Sequence, residues 1–236
     1  MSTKNKKQQS RQSSENPIIK ERFTYNEKQL EIIKTGLSKE CKCIYINGIW
    51  GTSKSYLAVL ISLKLLYQNK INQIIYVRNP VESSSFGIGY IPGDIASKML
   101  PFNQIFFDKL SELLSKSEID RLTKENKLNC LPLGFARGLS ITSASIIVDE
   151  AASLTYDDIL LLLSRCGEHT KIFFIGDSIN QNDIGSKSGF KKMFDLLSDS
   201  ESKENGIFTF GMNEEKDIVR SGFVRFIMKK TGKIKF

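Results

Sequence analysis

Metal-binding and disulfide-forming residues are scarce in this 236-residue sequence, which has one histidine, His169, and four cysteines, Cys41, Cys43, Cys130 and Cys166. No two of the cysteines form a C-x-x-C pair, and a structural zinc site takes four suitably spaced Cys or His ligands, so zinc is not expected. Scattered unpaired cysteines suit a reducing compartment, which predicts a cytoplasmic protein. No segment supplies the ~20 consecutive apolar residues of a membrane-spanning helix. The first residues are rich in Ser, Gln and Lys and hold no apolar run, so they do not read as a secretory signal. Acidic residues are outnumbered, 26 against 34 Lys and Arg, and the net charge of +8 with a pI near 9.2 favours an anionic partner, of which nucleic acid is the commonest.

What is present has ordinary globular composition, 40% hydrophobic and 25% charged, in a length that suits one well-buried α/β domain and not two. Met1 to about Ile19 contain almost no large apolar side chain and carry Lys4, Lys6, Lys7 and Arg11 against Glu15 alone. Burial cannot offset their ordering entropy, so residues 1–20 are expected to form a flexible basic tail and 21–236 the folded domain. Such a tail either aids solubility or attracts phosphate non-specifically.

From Tyr25 onward, short apolar runs alternate with helical spacing. Cys43 to Ile46, Ile74 to Val77, Ile146 to Val148 and Ile172 to Ile175 read as buried strands, and Phe208 to Phe210 as a further one. Tyr56 to Tyr67, Phe106 to Leu122, Thr155 to Arg165 and about Glu214 to Lys230 read as helices, the second as an amphipathic insertion. Near-continuous apolar strands separated by helices imply a mostly parallel central sheet covered on both faces, a three-layer α/β fold.

The first strand runs directly into Gly48-Ile49-Trp50-Gly51-Thr52-Ser53-Lys54-Ser55 and then a helix. This is the spacing of the phosphate-binding loop G-x-x-x-x-G-K-[ST], with Ser53 where the second glycine is expected. In such a loop the backbone N–H groups and helix N-terminus hold phosphates, the lysine reaches the β/γ oxygens and the hydroxyl binds Mg2+. Lys54 and Ser55 take the last two roles, and Gly48, Gly51, Thr52 and Ser53 shape the cradle. Serine resists backbone geometries that glycine allows, which makes Ser53 a departure. The strand Ile146-Ile147-Val148 ends in Asp149-Glu150, where Asp149 can hold Mg2+ through water and Glu150 can orient and polarise the attacking water. Two acids that merely cap a helix N-terminus are the structural alternative. The pair also argues against a small-molecule kinase, which needs no base to activate water.

Gly48 to Ser55 with Tyr56-Leu57-Ala58, Arg78-Asn79-Pro80-Val81-Glu82, Gly89-Tyr90-Ile91-Pro92-Gly93-Asp94, Pro132 to Gly138, Asp149-Glu150-Ala151, Gly176-Asp177 and Asp217-Ile218-Val219-Arg220 resemble the PhoH-like ATPases in order and spacing. The resemblance runs from about Phe23 to the C-terminus. It implies a RecA-like P-loop NTPase core close to superfamily-1 helicases, with ATP and Mg2+ as ligands and RNA or single-stranded DNA as partner. Asn26 and Gln29 then resemble the N-x-x-Q element that reads adenine, although both also suit a helix cap. Asp177 resembles the aspartate of G-D-x-x-Q, which senses the γ-phosphate. Asn180 sits where the glutamine is expected and Gln181 follows it, so either the loop bulges or asparagine substitutes. The family's Asp-Glu-Ala-Gln is broken by Ala152.

The resemblance assigns Arg78 to a segment that contacts single strands, with Phe86 and Tyr90 nearby for stacking or for packing. Superfamily-1 motors complete their site with arginines from a second RecA-type domain, and this chain has room for one. Arg220, with Arg225 next, is the candidate to act within the chain or in a neighbour's site, as in a homo-oligomeric ring, a hexamer being the common solution; a plain salt bridge is the alternative. Only about twenty polar residues precede the ATPase part, so the PIN nuclease domain of some relatives is not expected. An ATP-dependent switch or scaffold that binds a protein partner is the competing function.

Overall fold

The computed structural model describes residues 19–21, 24–78, 95–180, 183–219 and 221–231, for 95–102 the backbone alone. The strands are β1 (Cys43–Gly48), β2 (Gln73–Arg78), β3 (Leu128–Pro132), β4 (Ala144–Asp149), β5 (Lys171–Gly176) and β6 (Ile207–Met212). They form one parallel sheet in the order β3-β2-β4-β5-β1-β6. The helices are α1 (Glu27–Leu37), α2 (Lys54–Tyr67), α3 (Ile95–Leu113), α4 (Lys116–Lys124), α5 (Tyr156–Leu163), α6 (Phe190–Leu196), α7 (Ser200–Glu204) and α8 (Gly222–Lys230).

The alternation of side chains along each strand divides the core in two. Ile44, Ile46, Tyr76, Ile147, Phe173 and Ile175 face α1 to α4. Tyr45, Val77, Ile146, Val148, Ile172 and Phe174 face α5 and α6. Both faces are covered, so the central strands are mostly apolar, and the buried polar side chains of β1 and β4 are Asn47, Ser145 and Asp149. The helix α2 lies against the sheet and under its neighbours, with Tyr56 to Leu63 all buried.

Three expectations from the sequence change. The single helix expected over Phe106 to Leu122 is two, because Ser115 leaves the helix and accepts a hydrogen bond from the backbone N–H of Glu118, a cap that starts α4. The strand β3 was not expected: Leu128-Asn129-Cys130-Leu131-Pro132 is a half-buried edge strand with a weak apolar signal. The final helix begins only at Gly222, and a 3-10 turn over Glu215–Asp217 precedes it. The tail expected up to residue 20 lies outside the described residues as far as residue 18.

β1 lies between β5 and β6, so its C-terminal end opens between strands whose following chain goes to different places, where parallel α/β sheets bind ligands. The approach of β6 there is close. A Cβ on Gly48 would lie 2.6 Å from both the Cβ and the carbonyl oxygen of Met212, and Ile49 N donates to that same oxygen at 3.1 Å. Gly48 is therefore required by strand packing as well as by any ligand. Gly48→Ala is expected to destabilise the fold by about 1–3 kcal/mol through overpacking, read as a lower urea midpoint at unchanged slope.

Candidate nucleotide site

The chain leaves β1 and reaches α2 in five residues, 49 to 53, and their backbone conformations make the turn. Gly51 has φ 86° and Ser53 has φ 64° with ψ 25°. Ser53 thus takes the left-handed conformation for which a glycine was expected at this position, at a cost of roughly 1–2 kcal/mol for a residue with a Cβ. The loop is braced from inside by Thr52, whose buried hydroxyl donates to Ile49 O at 2.8 Å.

The C-terminal segment braces it from outside. Val219 N donates to Gly51 O at 3.1 Å, and Ile218 and Met228 pack with Ile49, Trp50 and Val224 in a small apolar cluster. Trp50, for which the sequence suggests no task, packs beside Ile49 against this cluster and so helps tie the loop to α8. Asp217 is fully buried, accepts from Lys28 Nζ at 3.2 Å and from Glu214 N at 3.0 Å, and so fixes the turn that carries Ile218 and Val219.

Residues far apart in sequence converge on an open cleft of about 400 Å3 at the ends of β1 and β4, lined among others by Lys54, Ser55, Arg78, Asp149, Glu150 and Val219. Lys54 Nζ donates to Gly48 O at 2.7 Å and Ile49 O at 2.8 Å. Ser55 Oγ donates to Asp149 Oδ1 at 3.1 Å across 94 positions of sequence, which leaves the hydroxyl's lone pairs for a cation. Asp149 Oδ1 also accepts from Glu150 N at 3.1 Å, and Asp149 Oδ2 accepts from Tyr76 Oη at 2.5 Å. Tyr76 was missed by sequence reasoning, because a tyrosine inside an apolar strand carries no motif.

Glu150 stands just past β4 in a left-handed conformation, φ 54°, a second strained non-glycine residue in the cleft. Burial and the neighbouring Asp149 charge raise its carboxyl above the usual carboxylate range, against the pull of Arg78 and Lys54. Arg78 pairs with it, Nη2 lying 3.6 Å from Oε1. Arg78 lies beside Asp149 in the β2–β4 register and so belongs to the cleft wall.

The remaining expected residues have other positions. Asn26 and Gln29 form a reciprocal capping box at the start of α1, and Asn26 Nδ2 also donates to Lys216 O at 3.1 Å. Gln29 is fully buried, and its Nε2 has no partner among the described residues. Asp177 is buried at the end of β5, where its Oδ1 accepts from Ile179 N and Asn180 N and its Oδ2 from Asn180 Nδ2. Asn180 is folded back on that aspartate. Ala152 is buried and its backbone N lies 2.9 Å from where a Cβ on Gly176 would stand. Arg225 Nη2 donates to Ile218 O of its own chain at 3.0 Å. Phe86, Tyr90, Gln181 and Arg220 lie outside the described residues.

Oxygen donors on Ser55 and Asp149 fit Mg2+, which takes one or two carboxylates and completes its shell with water and phosphate oxygens. Among the described residues no three His, Cys, Asp or Glu side chains converge to hold a metal ion by themselves. No described helix is long and apolar enough to cross a membrane.

The fold is similar to that of the large terminase from a thermophilic bacteriophage, with TM-score 0.50 at 10% identity over 88% of this chain and 50% of that one. A second structure of that terminase, in complex with ADP, matches at TM-score 0.50 and 11% identity over the same shares. In sequence the chain is 32% identical over 184 residues to a PhoH-like protein of Synechocystis and 31% identical over 186 residues to one of Bacillus subtilis, in each case 77% of this chain. Protein PhoH of Escherichia coli is 30% identical over 200 residues, 83% of this chain. These matches span 54%, 56% and 54% of the relatives, so the chain covers about half their length. The family model for PhoH-like protein matches residues 19–231, which takes in the phosphate-binding loop, the Asp149-Glu150 pair and the segment that braces the loop. The chain belongs to the PhoH-like protein family.

Proposed function

We propose that the chain binds ATP with Mg2+ in this cleft and hydrolyses it to ADP and phosphate. The observation that carries the reading is the meeting of Lys54 and Ser55, from the start of α2, with Asp149 and Glu150, from the end of β4, around one opening. The loop's backbone N–H groups and the α2 N-terminus provide a cradle for phosphate oxygens. Lys54 would exchange its two loop carbonyls for the β/γ oxygens and neutralise their charge. Ser55 and Asp149 would hold Mg2+, which when bound offsets the charge that develops as the phosphoryl group transfers. Glu150, its carboxyl made more basic by burial, would orient a water and accept its proton as the water oxygen bonds to the γ-phosphorus and ADP leaves. Adenine recognition by Gln29 is supported by its buried Nε2, a donor without a partner among the described residues.

Coupling to RNA or single-stranded DNA, in a helicase-like cycle, is supported by the net charge of +8 and by the outer face of α8. There Phe223 and Phe226 are exposed and Lys230 Nζ lies 5.9 Å from the Phe226 ring centre, a combination on which bases stack. Arg78 lines the cleft beside Glu150, which supports a part in hydrolysis beside the single-strand contact that the family resemblance implies. We further propose a head-to-tail ring, six chains being the common closure, in which Arg220 completes a neighbour's cleft. The competing switch or scaffold reading is favoured by Ala152, which has no polar group where the family has a glutamine, and by Asn180, whose Nδ2 is bonded to Asp177.

Two substitutions separate the assigned roles. Lys54→Ala is expected to lower triphosphate affinity or turnover by about a hundredfold or more, since the loop offers the transferring group no other lysine. Glu150→Gln is expected to keep nucleotide affinity and lose about a hundredfold or more in turnover, in assays of fluorescent-nucleotide binding and phosphate release. Equal loss of binding in both variants contradicts these roles. A dilution series of hydrolysis per chain, with and without single-stranded RNA, tests the rest. Stimulation by RNA and falling activity on dilution are expected; turnover indifferent to RNA favours the switch, and turnover indifferent to concentration removes the ring.

A further inference from the structure

We infer that Tyr76 is a positioning residue that holds the Asp149 carboxylate in the orientation it needs to bind Mg2+. The inference rests on the nucleotide reading above and adds a residue that no motif contains. Tyr76 lies in β2, where the register pairs it with Ile147 and pairs Arg78 with Asp149. Tyr76 and Ile147 both belong to the core on the α1–α4 side, and Asp149 follows Ile147 on that side by strand alternation. The phenol ring is buried and stacked on Phe106 of α3, with ring centres 4.8 Å apart at 10°. That stack leaves its hydroxyl little freedom. It donates to Asp149 Oδ2 at 2.5 Å.

The carboxylate is thereby held from three directions. Ser55 Oγ and Glu150 N take Oδ1, and Tyr76 takes Oδ2, so rotation of the carboxylate breaks at least one of these bonds. An ionised carboxylate only accepts, so in this pair the Tyr76 hydroxyl is the donor. Groups that orient a metal ligand from behind typically change metal affinity by about 10–100-fold when removed.

The test is Tyr76→Phe, which keeps the stacked ring and removes one oxygen. The readout is binding of a fluorescent ATP analogue as a function of Mg2+, with the affinity in EDTA as baseline and the melting temperature recorded beside it. Half-saturating Mg2+ is expected to rise about tenfold or more while the affinity in EDTA stays the same within about twofold. Phe106→Leu is the packing control: it loosens the ring but keeps the hydroxyl and its bond to Asp149, and is expected to lower the melting temperature with a rise in Mg2+ half-saturation smaller than that of Tyr76→Phe. An unchanged Mg2+ requirement in Tyr76→Phe, or an equal loss of affinity with and without Mg2+, overturns the inference. If the parent protein itself shows no Mg2+-dependent binding, the nucleotide reading fails and the inference falls with it.

Discussion

The contact between the end of β1 and the end of β6 governs the geometry of the cleft. Met212 lies so close to Gly48 that no side chain fits there, and its carbonyl takes the next backbone N–H, at Ile49. The chain must therefore turn away from β6 at once, and the following residues have only the space above β1 in which to turn. Gly51 and Ser53 make that turn in left-handed conformations, and α2 starts at Lys54 with its N-terminus facing the opening. The part of the chain after β6 then returns over the loop, through Val219 on Gly51 and Ile218 beside Ile49 and Trp50. The phosphate-binding loop is thus held between strand packing below and the C-terminal segment above, which makes α8 a structural part of the site.

A second point of convergence is the Asp149 carboxylate. Three donors from α2, β2 and its own backbone meet on it, so the separation of α2 from the β2–β4 pair is fixed by hydrogen bonds at the place where charge would be handled. The strained residues Ser53 and Glu150 both line this cleft. Two left-handed residues with side chains cost a few kcal/mol together, and they sit next in sequence to buried residues, Thr52 beside Ser53 and Ala151 beside Glu150.

Much of this was legible in the sequence. Strands buried on both faces read as short apolar runs, and the loop and Asp149-Glu150 follow the ends of two of those runs, which places them at the same edge of a parallel sheet. The rest depended on tertiary contacts. β3 is an edge strand whose Asn129 and Pro132 dilute its apolar pattern, as edges permit. Ser115 reads equally well inside a helix or as a cap until Glu118 is seen to donate to it. Asn26 and Gln29 carry the same letters whether they cap α1 or read a base, and their hydrogen bonds realise the cap while leaving one buried donor over. Tyr76 and Trp50 were illegible for a different reason. Their roles lie in what they touch, Asp149 in one case and the Ile218–Met228 cluster in the other, and neither partner is near in sequence.

The central claim is that the cleft recognises a chain of phosphates through the loop and the α2 N-terminus. Thermal unfolding of the intact protein with Mg2+ and either ATP, ADP or AMP at equal concentration tests it most directly, because a ligand that binds only the folded state raises the melting temperature in proportion to the logarithm of its saturation. The account predicts stabilisation by ATP and ADP that exceeds that by AMP, and loss of the difference in Lys54→Ala. Stabilisation by AMP equal to that by ATP, or by none of the three, would contradict it.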